Sequence, residues 1–236
     1  MNKVVNVFSG IILVLFCAFA MGIVYDLSLT SNLALKNLPY RYEIAYAVTL
    51  VIALLGSLRI VRRWQGAKDM VRFTKFTFER PIGDAAKRLS IVYSVAEYTF
   101  TLLLLYVFYQ MSSLDAKLVF PIMVVLALLF AEGLVFLMRV VRGGKAFRIG
   151  INKSVIAYFD REIHLIYFTG LTRVEMHQDM INFQYKKDLN ILMPLDVIPT
   201  NERVAFRDAV IETLETELKE KKGKIIYIDD AFRNLK

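Results

Sequence analysis

The sequence is poor in the residues that most often carry chemistry. Its 236 residues include one cysteine, Cys17, and two histidines, His164 and His177. One cysteine excludes an internal disulfide framework, and two isolated histidines leave no ligand set for a zinc ion. No Walker loop, GxSxG, HExxH or dinucleotide fingerprint occurs. No segment gathers a nucleophile, a base and an orienting group, so catalysis and cofactor binding are not expected. Charge is also scarce: 22% of residues are charged and 56% are hydrophobic, with mean hydropathy +0.47. Soluble domains run nearer 45–50% apolar, so a soluble enzyme, a disordered chain and a disulfide scaffold are all excluded.

What is present is uneven. Residues 1–142 carry 15 Lys/Arg and 8 Asp/Glu, a balance of +7, and hold the long apolar runs. Four runs approach the roughly 20 residues that a bilayer-spanning helix needs. They are Val4–Tyr25, Ile44–Leu58 with flanking headgroup residues, Leu89–Leu114 and Leu118–Met138. The loop 59–88 holds 9 basic and 3 acidic residues, and Arg139, Arg142, Lys145 and Arg148 follow the last run. The opposite loops hold only Lys36, Arg41 and Lys117. Basic residues mark the cytoplasmic side, so both termini are expected there. This places the basic excess in topology and not in nucleic-acid binding. Lys3, an apolar core and Ala18-Phe19-Ala20 imitate a signal peptide, but the apolar run continues through Val24, which favours a retained span. Cys17 in that run is expected to be an inert packing residue. Ala18, Ala20 and Gly22 are small enough to permit close helix packing.

Within the basic loop, Arg62, Arg63 and Trp64 are expected to anchor at the membrane interface. Phe73, Phe76 and Phe78 alternate with basic residues, as in an amphipathic segment on the inner leaflet or a strand joining a later β-domain. Pro81 and Gly83 end this stretch, and Asp84 can cap the next helix.

Ionisable groups inside a span cost roughly 2.5–3.5 kcal/mol, which makes them functional candidates. Glu97 and Glu132 fall at similar depth on the antiparallel third and fourth spans, and Arg59 ends the second at that level. Three arrangements follow. Two close carboxylates would form a proton or cation site with one raised pKa. A Glu97–Arg59–Glu132 network would fix helix packing. Alternatively, span three starts at Tyr98 and leaves Glu97 at the headgroups.

After Gly143-Gly144 the period changes from helical runs to short alternating ones. Strands are expected near Phe147–Ile149, Val155–Phe159, Ile163–Phe168, Arg173–His177, Ile181–Tyr185 and Asn190–Met193. Thr200 or Asn201 can cap a helix to about Lys219, with an apolar stripe of Val204, Ile211, Leu214 and Leu218 broadened by Phe206 and Val210. Gly223 ends it, and Lys224–Ile228 reads as a last strand. His164 and His177 fall on separate strands. Asn152-Lys153-Ser154 matches a glycosylation acceptor, but the topology puts it in the cytoplasm.

The segment Phe147–Leu218 resembles the PH-like (YcxB-like) domains that follow transmembrane helices in bacterial membrane proteins. The resemblance rests on Val155–Phe159, Leu171–Val174, Ile181–Phe183, Asn190–Pro194 and the helix start Arg203–Arg207. It implies an antiparallel β-barrel or sheet closed by a C-terminal helix, in a bacterial inner membrane. Seven strands are implied where six are legible, so one must come from elsewhere, and Val71–Phe78 is the candidate. The first hairpin turn offers only Lys153, so no phosphoinositide site is evident. The whole reads as a four-span helical membrane domain, residues 1–142, followed by an α+β cytoplasmic domain, residues 143–236. The expected role is a non-catalytic membrane binding or scaffold subunit that meets a protein partner or a second copy. A small transporter, channel or proton-pathway subunit built on Glu97 and Glu132 is the rival, and a membrane immunity or resistance protein is a third class.

Overall fold

Long apolar runs with few interior charges form helices, because a helix satisfies every backbone group internally. The computed structural model describes residues 2–30, 33–73, 75–186, 189–220 and 226–235. Four long helices come first: α1 (Asn2–Val24), α2 (Arg41–Arg72), α3 (Asp84–Ser112) and α4 (Ala116–Val141). By length and composition α2, α3 and α4 can each cross a membrane, and Phe8–Val24 of α1 is a shorter apolar helix. The protein is therefore a membrane protein of helical-bundle type with an added β-rich part.

The helix ends follow local rules. After α1, Asp26 adopts φ +53°, while Leu27 N–H donates to Gly22 O and Asp26 N–H to Ile23 O. This is a Schellman end with a non-glycine residue in the left-handed position. A two-stranded hairpin follows, β1 (Ser28–Thr30) and β2 (Leu33–Ala34). Asp115 sits between α3 and α4 and caps α4, its Oδ1 accepting the Leu118 amide at 3.3 Å. After α4, Gly143 takes φ +64°, Gly143 N–H donates to Val140 O and Gly144 N–H to Arg139 O. Here the left-handed position is a glycine, as the Gly143-Gly144 pair suggests.

One expectation fails at α2. The basic stretch after Leu58 is not a connector, because the helix runs on to Arg72. Residues 59–72 contain no proline and are rich in Arg, Gln, Lys, Ala and Met, all good helix formers. The 32 residues of α2 make a helix of about 48 Å, well beyond the about 30 Å of bilayer hydrocarbon.

The chain forms two compact units, one of residues Met1–Val61 and Ser94–Met138 and the other of Arg62–Tyr93 and Arg139–Lys236. Arg62–Tyr93 thus folds with the C-terminal unit. The first unit is a bundle of all four helices around Phe16, Ala20 and Ile23 of α1, Ala45 and Ile52 of α2, Leu104, Phe108 and Met111 of α3, and Leu118, Val119, Ile122 and Leu126 of α4. Phe16 and Phe108 pack with ring centroids 5.8 Å apart. Of the small residues in α1, Ala20 and Gly22 are buried and Ala18 is exposed. A Cβ at Gly22 would collide with the Leu35 side chain, and one at Gly133 of α4 with the Tyr98 ring of α3.

The second unit carries two four-stranded sheets, neither closed on itself. The first has the order β3 (Phe78–Pro81), β4 (Arg148–Ile151), β5 (Val155–Phe159), β6 (Ile163–Tyr167), all antiparallel. The second has the order β10 (Tyr227–Ile228), β7 (Leu171–His177), β8 (Met180–Tyr185), β9 (Asn190–Pro194), with β10 parallel to β7. The additional strand does come from upstream, though it is Phe78–Pro81 and not Val71–Phe78: Phe78 pairs with Ile151 and Pro81 with Arg148. β5 is buried throughout, as an uninterrupted apolar run should be. A short 3-10 turn, Thr200–Glu202, leads into α5 (Arg203–Glu220), and no side chain caps it. Phe206, Val210 and Leu214 of α5 are buried, Ile211 is half-buried and Val204 is exposed. The Leu218 side chain and Gly223 lie outside the described residues, as does Lys224–Ile225 of the last expected strand. The chain closes with the short helix α6 (Asp230–Arg233), whose Phe232 is buried.

Candidate functional site

Arg59 of α2 and Glu97 of α3 form an ion pair, with 30% and 19% of their side chains exposed. The pair borders a cavity of about 250 Å³ inside the helical bundle. All four helices line it, through residues that include Ser9 and Gly10 of α1, Gly56 of α2, Thr101 of α3 and Leu129 of α4. The Arg59 Nε is buried without a hydrogen-bond partner among the described residues, and Thr101 Oγ1 donates to the Glu97 carbonyl at 2.9 Å. Opposite charges side by side in a low-dielectric setting serve as each other's counter-ion. Glu132 is half-buried on α4 and is not among the residues lining this cavity. Its neighbour Gly133 is where the Tyr98 ring packs, and Tyr98 stands edge-on to Phe130 at 6.4 Å.

The expected interface residues sort by burial. Arg62 is exposed and Arg63 is buried. Trp64 lies beneath the Arg139 guanidinium at 4.3 Å, a cation–π contact. Phe73 and Phe76 are half-buried and face each other at 5.9 Å. Phe76 also lies under Arg148 at 5.1 Å. Phe78 is buried, edge-on to Phe206 of α5 at 5.7 Å. Phe78 is thus a core residue of the second unit and not a lipid-facing one: strand pairing turns its side chain toward α5.

Arg148 was legible in the sequence only as a topology charge. Its guanidinium donates to Met70 O at 2.6 Å and Phe73 O at 2.8 Å, and it pairs with Glu79. It therefore binds the carbonyl end of α2 to the first sheet, where a cation is favoured by the helix dipole.

The two histidines sit in separate polar clusters. His164 stacks on Tyr158 at 4.5 Å and lies 3.3 Å from Asp160 Oδ1. Burial pushes the Asp160 carboxyl up, but the His164 ring and the amides of Arg161 and Glu162 outweigh it and hold it below the usual carboxylate value. Burial, with the Asp160 charge beside it, pushes the Tyr158 hydroxyl far up. His177 lies 3.3 Å from Glu175, which also accepts from Arg173 at 2.6 Å and Gln184 at 2.9 Å. Among the described residues no group of three or more His, Cys, Asp or Glu is arranged to hold a metal ion.

The remaining feature is an edge. β9 ends the second sheet and among the described residues pairs only with β8, with Phe183 opposite Ile191 and Ile181 opposite Met193. Tyr185 N–H donates to Leu189 O and Leu195 N–H to Asp179 O, both at 2.8 Å. Antiparallel ladders alternate, so residues 189, 191, 193 and 195 turn their amides to β8, Asn190 and Leu192 turn theirs outward, and Pro194 turns its ring outward. Leu189 and Leu192 are 57% and 54% exposed. No charge interrupts Leu189–Leu195. Natural edges are normally blunted by charge, bulges or cover, and this one carries only Pro194 at its end. Of the other edge strands, β6 carries His164, and Tyr185 OH donates to Tyr167 O at 2.7 Å. Burial raises the Tyr185 hydroxyl to about 12, so it is a phenol and a donor at neutral pH. The uncharged run is the signal by which the sequence could have disclosed the β9 edge.

Comparison with family models, with curated proteins and with solved structures finds no match to this chain.

Proposed function

We propose that this chain is a non-catalytic membrane scaffold whose β-rich unit docks a protein. The observation that carries the reading is the uncharged edge of β9, with its outward amides and the exposed Leu189 and Leu192. An exposed edge offers main-chain hydrogen bonds for affinity and alternate side chains for selectivity. The two sheets and α5 are compatible with the PH-like resemblance, which adds a bacterial inner membrane as the setting. In this reading α1 is a fourth span and both termini are cytoplasmic, a topology that the basic residues flanking α2, α3 and α4 support.

The rival, a proton or ion path through Glu97 and Glu132, draws support from the cavity beside Glu97. It draws less from the charges, since Arg59 already neutralises Glu97. Retention of full function in a Glu97→Gln/Glu132→Gln double variant would remove it.

The test of docking is affinity capture from native membranes in lipid nanodiscs, comparing the natural chain with Leu192→Lys. Retention of a stoichiometric protein by the natural chain and its loss in Leu192→Lys is the expected result. Capture of lipid alone by both would sink the scaffold reading.

A further inference from the structure

We infer that the cavity inside the helical bundle is a binding site for a neutral amphiphile whose carbonyl oxygen accepts from Arg59 Nε–H. This goes beyond the docking reading above and does not depend on it. The first observation is an unmet donor. Arg59 reaches Glu97 through a terminal nitrogen, while its Nε is buried with no hydrogen-bond partner among the described residues. A guanidinium carries donors only, so whatever meets Nε must bring an acceptor. Leaving a buried donor unmet is costly, and folded proteins rarely do so.

The second observation is the space beside it. Gly10 of α1 lines the cavity, and a Cβ there would meet no atom within 4 Å. At Gly22, Gly56 and Gly133, by contrast, a Cβ would collide with the side chain of Leu35, Leu129 or Tyr98. Those three glycines serve close packing, whereas Gly10 borders room that the protein leaves unfilled. Phe100 of α3 also lines the cavity and is 43% exposed, so the cavity reaches the outer face of the bundle, which in a membrane meets lipid. Leu13, Ile52, Leu55, Leu126 and Leu129 make much of the wall aliphatic. Filled with water, about 250 Å³ would hold roughly eight molecules at about 30 Å³ each, more than the few polar groups can anchor. Apolar cavities instead stay dry and take apolar molecules. Arg59 and Glu97 cancel in charge, and Glu97 repels an anionic head, so a neutral one is favoured. The volume takes a carbonyl and its first carbons, and the rest of the chain leaves past Phe100.

The full chain is placed in nanodiscs of ether-linked phospholipid, which has no ester carbonyl, and irradiated with methyl decanoate carrying a diazirine on its chain. Adducts are mapped by mass spectrometry. They are expected on the α1 and α3 peptides that contain Gly10 and Thr101. Unlabelled methyl decanoate should compete at concentrations about tenfold or more below those of decane or decanoate, as one hydrogen bond to a charged donor implies. Arg59→Lys keeps a cation beside Glu97 and removes Nε–H, and Gly10→Leu puts a side chain into the open space. Each should lower labelling about tenfold or more, with helical content by circular dichroism unchanged. Adducts spread evenly over the four helices, equal competition by decane or decanoate, or full labelling of either folded variant would overturn the proposal. The competition series in the natural chain decides it even if a variant fails to fold. Repeating the labelling in ester-linked phospholipid identifies the source: lost labelling makes the bilayer's own esters the occupant, and retained labelling makes it a free neutral lipid.

Discussion

Replacing Arg148 with methionine tests how the second unit is held together. The guanidinium is largely buried, at 16% exposure, and donates to Met70 O and Phe73 O while pairing with Glu79. Methionine keeps an unbranched apolar side chain and removes every donor, together with the guanidinium over Phe76. Two charge-assisted hydrogen bonds contribute about 1.5 kcal/mol each, and the cation at a helix C-terminus adds about 0.3–1 kcal/mol. The expected loss is therefore about 3–4 kcal/mol. Glu79 is 44% exposed, so Glu79→Gln should cost no more than about 1 kcal/mol. Trp64, the only tryptophan, lies under Arg139 in the same unit and reports its unfolding. Urea unfolding in detergent micelles, followed by Trp64 fluorescence, should show a lower midpoint for Arg148→Met with an unchanged slope. A loss below about 1 kcal/mol, within the spread of ordinary surface changes, would refute the capping argument.

The Arg59–Glu97 pair predicts non-additivity: Glu97→Gln strands a cation in the bundle and should cost about 2–3 kcal/mol, while adding Arg59→Gln should recover part of it. Additive losses in a double-mutant cycle in micelles would mean the two side chains do not interact. Gly133→Val drives a side chain into the Tyr98 ring and should cost about 1–3 kcal/mol, read as a lower thermal midpoint of the bundle. Asp160 has a folded pKa below its unfolded value, so its contribution is present above about pH 4 and is lost as pH falls through the folded pKa. Asp160→Asn should remove that acid-dependent part, and identical acid transitions in both proteins would contradict it.

The spacing of residues determined much on its own. Apolar runs set the long helices, three of them long and apolar enough to cross a membrane, where backbone has no other partner to use. An unbroken apolar run located β5 to its last residue, and alternation located β6 to β9 within two residues of their ends. Gly143 marked the close of α4, because its left-handed φ suits a residue without a Cβ. These are local signals, and each lies within one turn or one strand.

What tertiary structure alone decided is non-local. Phe78–Pro81 found β4 across the whole α3–α4 hairpin, and no period in residues 71–81 names that partner. The charges after Leu58 suggested a connector, yet helix propensity and the Arg148 cap carry α2 to Arg72. Depth along the helices is legible in the sequence, but helix rotation is what turns Arg59 and Glu97 into an ion pair. Rotation depends on contacts such as Tyr98 against Gly133, which join residues far apart in the chain. The β9 edge is the same case: its uncharged run is written in the sequence, and only the strand order leaves one side of it open.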